Sequence, residues 1–222
     1  MKKSSAPSTP EFFRRIGVKG WRKSAYFTFS SRFPVLRRWL ISQLIQKDKN
    51  VLSIGCGSGE LEMALIKTGR EVAGLDICYE LLERARKRGL KNLVQADALK
   101  LPFVSSSFDL VVFPESIGYF ALHEGLPGVA RVLKQRGRLL ITAYATNFAS
   151  DDIYKKTTVQ GLTKELQAAG FSVLEQKLLT IKKSRVIEVS PQNRAEIIYI
   201  LARKQEPDSR NRSHKDLMRA RG

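Results

Sequence analysis

The residues best suited to chemistry gather in one short run. Val51-Leu52-Ser53-Ile54-Gly55-Cys56-Gly57-Ser58-Gly59-Glu60 comes off an apolar strand and opens a helix. A ligand that approaches a backbone this closely needs glycines, because side chains would occupy its space. The free N–H groups and dipole of the helix N-terminus favour a negative group there. Asp76 ends the next strand 21 residues after Gly55. Doubly wound α/β sheets place a carboxylate at about this distance to accept hydrogen bonds from ribose hydroxyls. The third glycine comes one position earlier than in the G-x-G-x-x-G pattern that accommodates a pyrophosphate. The spacing therefore favours a nucleoside ligand without a pyrophosphate.

Further candidates lie downstream. Asp97, in Gln95-Ala96-Asp97-Ala98, follows a third apolar run. Glu115 follows the fourth, at the carboxyl edge where open α/β sheets bind ligands. It could hold part of a ligand or take a substrate proton, or be an exposed loop carboxylate. His123, in the same loop, has a side chain that titrates near neutrality and could act as a general base, or be merely solvated. No cluster of metal ligands is present, so no metal is expected.

These residues need a scaffold, and the surrounding pattern supplies one. Strands are expected at Val51–Ile54, Glu71–Leu75, Asn92–Gln95, Phe108–Phe113 and Arg138–Ala143, with helices at 60–68, 80–87 and around 129–134 between them. This alternation predicts a mostly parallel sheet covered on both faces. A helix over 158–169 stops at Gly170, and Phe171–Glu175 and Glu196–Leu201 read as two further strands joined by a long basic connection. Before the first strand, Pro34 to Ile45 reads as a helix with Leu36, Trp39 or Leu40, and Gln43 or Leu44 on one side.

From Asn50 to Lys204 the chain resembles the class I, Rossmann-like S-adenosylmethionine-dependent methyltransferases. The glycine run is similar to the family's first motif, Gly74-Leu75-Asp76-Ile77 to its second and Gln95-Ala96-Asp97-Ala98 to its third. Leu101-Pro102-Phe103 with Ser107-Phe108-Asp109-Leu110-Val111-Val112 resembles the segment entering strand four, and Arg131-Val132-Leu133-Lys134 the joint leading to strand five. The nearest likeness is to the broad ubiquinone- and sterol-type group acting on small molecules. The resemblance implies a seven-stranded sheet with an antiparallel last strand and S-adenosyl-L-methionine as cofactor. It implies cofactor contacts from Ser53, Gly55, Cys56, Gly57, Gly59, Asp76, Ile77, Asp97, Ala98 and Glu115. The candidate catalytic groups are Glu115 and His123. The implied reaction is in-line transfer of the sulfonium methyl to an O, N or C nucleophile, which asks the protein mainly to align, exclude water and remove one proton.

The chain departs from the pattern at Ser53, where the family usually carries Asp or Glu to help anchor the methionine amino group. The departure implies either weaker cofactor affinity or a compensating carboxylate such as Glu115 or Glu60. Gln135-Arg136 stand where Pro-Gly is common, and Cys78 where small polar residues are frequent. Phe113-Pro114-Glu115-Ser116 replaces the Asn-Pro-Pro-Tyr-like run associated with methylation of base or glutamine amino groups.

Charge is distributed unevenly over the 222 residues. The net +18 divides into +10 over residues 1–50, +4 over 51–201 and +4 over 202–222. The basic ends either meet an anionic partner, RNA or an acidic membrane surface, or form a solvated surface. Residues 1–10 and 205–222 are expected to be flexible. Residues 11–49, in which Trp21, Tyr26 and other aromatics are interleaved with Arg and Lys, are expected to cover the site as a lid. No apolar run approaches the roughly 18 residues of a membrane span, no secretory h-region follows Met1, and two cysteines suit a reducing cytoplasm. Three functions fit: methyl transfer to a small-molecule or lipid-like acceptor, methyl transfer to RNA, or a non-catalytic cofactor-binding assembly factor.

Overall fold

A computed structural model describes residues 33–45, 47–145, 157–191 and 195–206. The expectations for residues 1–32, including Trp21 and Tyr26, and for the tail beyond Glu206, lie outside the described residues.

The elements run α1 (Phe33–Ser42), β1 (Asn50–Ile54), α2 (Glu60–Ile66), β2 (Glu71–Asp76), α3 (Tyr79–Lys87), β3 (Asn92–Gln95), β4 (Phe108–Pro114), a 3₁₀ turn (Ile117–Tyr119), α4 (Leu122–Val132), β5 (Leu133–Tyr144), α5 (Val159–Ala168), β6 (Phe171–Lys182), β7 (Arg185–Glu188) and β8 (Ile197–Lys204). They form one eight-stranded sheet in the order β3-β2-β1-β4-β5-β8-β6-β7. The first five strands in that order are parallel, and β8, β6 and β7 add antiparallel pairings. The α/β class and the interior position of β1 agree with the sequence pattern. There is one strand more than expected.

Alternation along β1 divides the core into two layers. Leu52 and Ile54 pack with Leu126 and Val129 of α4 and Leu162 and Leu166 of α5. Val51 faces the other way, with Leu36 and Leu40 of α1 and Leu61 and Leu65 of α2. Strands buried on both faces read as continuous apolar runs, which is why β1 and β4 are conspicuous in the sequence. Of the neighbours Trp39 and Leu40, Leu40 is the buried one, while Trp39 lies half-buried edge-on to Tyr199, with 5.0 Å between ring centroids.

Three boundaries differ from expectation. Helix α4 begins at Leu122 because Leu122, Gly125, Leu126 and Val129 are drawn into the core, although Gly125, Pro127 and Gly128 disfavour a helix there. The turn expected around Gln135-Arg136 is a bulge inside β5. Leu133 pairs with Phe108, regular pairing resumes at Arg138, and Arg136 takes a positive φ of 60°. The basic connection after residue 175 is a hairpin: β6 continues to Lys182, turns at Lys183 and Ser184, and returns as β7.

A buried ion pair fixes the approach to β1. Both nitrogens of one edge of the Arg138 guanidinium meet the Asp48 carboxylate, the Nε–Oδ1 contact at 3.1 Å. Among the described residues no helix is long and apolar enough to cross a membrane.

Candidate functional site

Strand β1 lies between β2 and β4, the point at which successive crossovers set off in opposite directions and leave a crevice at the carboxyl ends of the strands. The glycine run fills the β1 side of this crevice. The Gly55 and Cys56 N–H groups donate to the Leu75 carbonyl at 2.7 and 3.0 Å, tying the turn to the end of β2. Gly55 has φ +76°, and a Cβ there would stand 2.4 Å from Ser116 Cβ. Gly57 has φ +54°, and a Cβ there would meet nothing within 4 Å, because it would project into open space.

That space is a cavity of about 570 Å³, within the range of small-molecule and cofactor sites. Its lining includes Gly57, Asp76, Ile77, Asp97 and Ala98, at or just beyond the ends of β1, β2 and β3, and Glu115, Tyr119, Phe120 and Tyr144, at or beyond the ends of β4 and β5. Leu36, Arg37 and Leu40 of α1 also line it.

Asp76 organises the first set. Its Oδ2 accepts from the Gly57 N–H at 2.8 Å and its Oδ1 from the Cys78 N–H at 2.9 Å. Burial raises the carboxyl above its ordinary value, and these backbone bonds counter that. Asp97 is exposed at the rim, where its Oδ1 accepts from the Leu99 N–H at 2.9 Å.

In the second set Glu115 leaves β4 with φ 55°, a conformation costly for a residue with a side chain. Its N–H donates to the Thr142 carbonyl at 2.9 Å, and its Oε1 accepts from the Thr142 hydroxyl at 2.6 Å. Burial pushes its carboxyl up to about 7, against the opposing influence of Thr142 and Arg37. A carboxyl held near neutrality in a cleft is suited to exchanging a proton. The next residue, Ser116, donates its hydroxyl to the Ile54 carbonyl at 2.6 Å, which locks this loop to the end of β1.

The expected site residues separate into two groups. Gly55, Cys56, Gly57, Asp76, Ile77, Asp97, Ala98 and Glu115 all line the cavity. Ser53 and Gly59 stand behind it, Gly59 as the residue capping α2. His123, the second residue of α4, is exposed and outside the lining, with Nε2 3.8 Å from Glu124. Cys56 is buried beside Glu62 and Asp76, and its thiol is raised mainly by burial, so it stays protonated.

Both carboxylates expected to compensate for Ser53, Glu60 and Glu115, line the cavity. Glu60 pairs with Arg37 and with Arg88, the latter at 2.6 Å. Burial raises its carboxyl, but the two guanidiniums outweigh it and hold the group below its ordinary value. Glu62 is the group that meets Ser53: the Ser53 hydroxyl donates to Glu62 Oε1 at 2.6 Å, with both residues fully buried. Burial pushes the Glu62 carboxyl up to about 7. Glu62 is not among the residues expected from the sequence, yet it precedes Leu65 by three positions and so shares the inward stripe of α2. A carboxylate in an apolar stripe was the available signal.

Residues 52–141 match the family model described as a methyltransferase domain. The chain is 33% identical over 102 residues to a malonyl-[acyl-carrier protein] O-methyltransferase of Legionella pneumophila, covering 42% of this chain and 36% of that protein. It is 34% identical over 128 residues to a Mus musculus protein named "Probable tRNA methyltransferase 9B", covering 54% of this chain and 27% of that one. It therefore spans well under two thirds of either relative. A Thermotoga maritima structure described as an S-adenosylmethionine-dependent methyltransferase superposes with a TM-score of 0.70 at 21% identity, covering 87% of this chain and 98% of that one. Residues 52–141 are thus similar to a methyltransferase domain, and the chain shares the fold of structures described as S-adenosylmethionine-dependent methyltransferases.

Proposed function

We propose that the chain transfers a methyl group from S-adenosylmethionine to a small-molecule or lipid-like acceptor. The observation that carries this reading is the single cavity lined both by Asp76 and Asp97 and by Glu115, Tyr119 and Tyr144. The residues fit the cofactor. Asp76 keeps acceptor capacity for ribose hydroxyls, Gly57 leaves space for the ligand, and Asp97 with Ala98 offers a rim for a base. Bound there, the cofactor supplies an activated methyl on a sulfonium centre, so the protein has to align the acceptor and exclude water.

Tyr119, Phe120, Tyr144, Leu36 and Leu40 give the acceptor end an apolar wall. Glu115 is the group we assign to receive the acceptor's proton, since it stands at that end with its carboxyl near neutrality. His123, exposed and away from the cavity, has no part in this assignment. Of the basic segment before β1, the described helix α1 contributes Leu36, Arg37 and Leu40 as cover along the cavity.

A second reading, an RNA acceptor, is favoured by the net charge of +18 and by Arg37, Arg84 and Arg88 around the cavity. The relative named as a tRNA methyltransferase points the same way. Incubation with radiolabelled S-adenosylmethionine and a fractionated extract tests both. Label in the small-molecule or lipid pool supports the first reading, label in RNA the second, and label in neither opposes catalysis.

A further inference from the structure

Ser53 leaves the cavity without the carboxylate that the family's first motif ordinarily places on β1. The fold supplies one from the neighbouring helix. Alternation along β1 turns Ser53 toward the layer that holds α2, and the first turn of α2 carries Glu62 to it. Glu62 lines the cavity and is 1% exposed. One oxygen, Oε1, accepts from Ser53 at 2.6 Å, while Oε2 is buried with no hydrogen-bond partner. A buried carboxylate oxygen left unpaired is costly, and such a group calls for a cation or donor. Arg37, a guanidinium that acts electrostatically on it, pairs with Glu60.

We propose that Glu62 holds the α-ammonium group of the cofactor's methionine end through Oε2, and that Ser53 orients it by holding Oε1. The motif's charge is thereby moved from strand to helix, with a hydroxyl left in its place. The inference rests on the cofactor reading given above. An ammonium suits the position because it brings positive charge and several donors to an oxygen that has none. The alternative is that Glu62 is a buried carboxyl serving only to brace α2 against β1.

Two ligands separate these roles. S-adenosylhomocysteine carries the amino-acid end, and 5′-methylthioadenosine carries the same adenosine and thioether without it. Glu62→Gln keeps the side chain's length and an oxygen for Ser53. Calorimetric titration of this variant is expected to show roughly ten- to hundredfold weaker binding of S-adenosylhomocysteine, with 5′-methylthioadenosine unchanged. The double variant Ser53→Asp/Glu62→Ala, which returns the carboxylate to β1, is expected to recover most of the lost affinity. Unchanged S-adenosylhomocysteine affinity in Glu62→Gln, or equal weakening of both ligands, overturns the proposal. If the wild-type protein binds neither ligand, the cofactor reading fails, and this inference with it.

Discussion

Replacing Asp76 by alanine should damage the site in two measurable ways. In the folded chain its carboxylate accepts the Gly57 and Cys78 N–H groups, at 2.8 and 2.9 Å. A hydrogen bond to a charged acceptor contributes ~1.5–3 kcal/mol net, so the two together are worth ~3–6 kcal/mol. Relief from burying the charge offsets part of this, leaving a net loss of about 2–4 kcal/mol. At this chain length each kcal/mol lowers Tm by about 2–4 °C, so Tm should fall by roughly 5–15 °C. The ligand loses its ribose partner as well, and affinity for S-adenosylhomocysteine should drop roughly ten- to hundredfold. Differential scanning calorimetry and isothermal titration on the same preparation give both quantities. A folded Asp76→Ala protein with wild-type affinity would refute the assignment of this end of the cavity to the nucleoside.

Gly57→Val should abolish ligand binding by titration, since the side chain would enter the cavity from a backbone at φ +54°. Asp48→Ala should cost about 3–5 kcal/mol in urea unfolding, because it leaves Arg138 buried and unpaired. The ligand-free protein should lose stability as pH rises from 4.5 to about 7. Glu62, facing Ser53, Arg37 and Asp76, and Glu115, facing Thr142 and Arg37, both ionise at 4.5 when unfolded and near 7 when folded. Rising pH therefore releases protons from the unfolded state first, and the loss levels off above about 7. The double variant Glu62→Gln/Glu115→Gln should flatten this slope in thermal melts across the range. Deleting residues 1–30 should reduce methyl transfer far more than Tm; equal activity would remove the covering role.

Much of this was legible in the sequence because the relevant signals are local. Glycines at 55, 57 and 59 and an acid ending the next strand follow from strand–turn–helix geometry. Strands β1 and β4 are buried on both faces and announce themselves as apolar runs. Glu62 is hard to find in the sequence because a helix of seven residues gives little periodicity and Leu61, Ala64 and Leu65 already make an apolar side. In the structure Ala64 is only half-buried, and Glu62 takes the buried place. The hairpin of β6 and β7 was read as a connection because an edge strand needs no continuous apolar pattern, and Arg185–Glu188 is mostly exposed. Helix α4 was placed late because the tertiary burial of Leu122 and Leu126 overrides the breakers between and beside them.

The central claim is that the crevice between β1 and β4 holds the cofactor, and a crystal structure with S-adenosylhomocysteine tests it most directly. In that complex the ribose hydroxyls are expected at Asp76, the base beside Asp97 and Ala98, and the thioether sulfur facing Glu115 and Tyr144. Ligand bound elsewhere, or density absent from this cavity at saturating concentration, would contradict it.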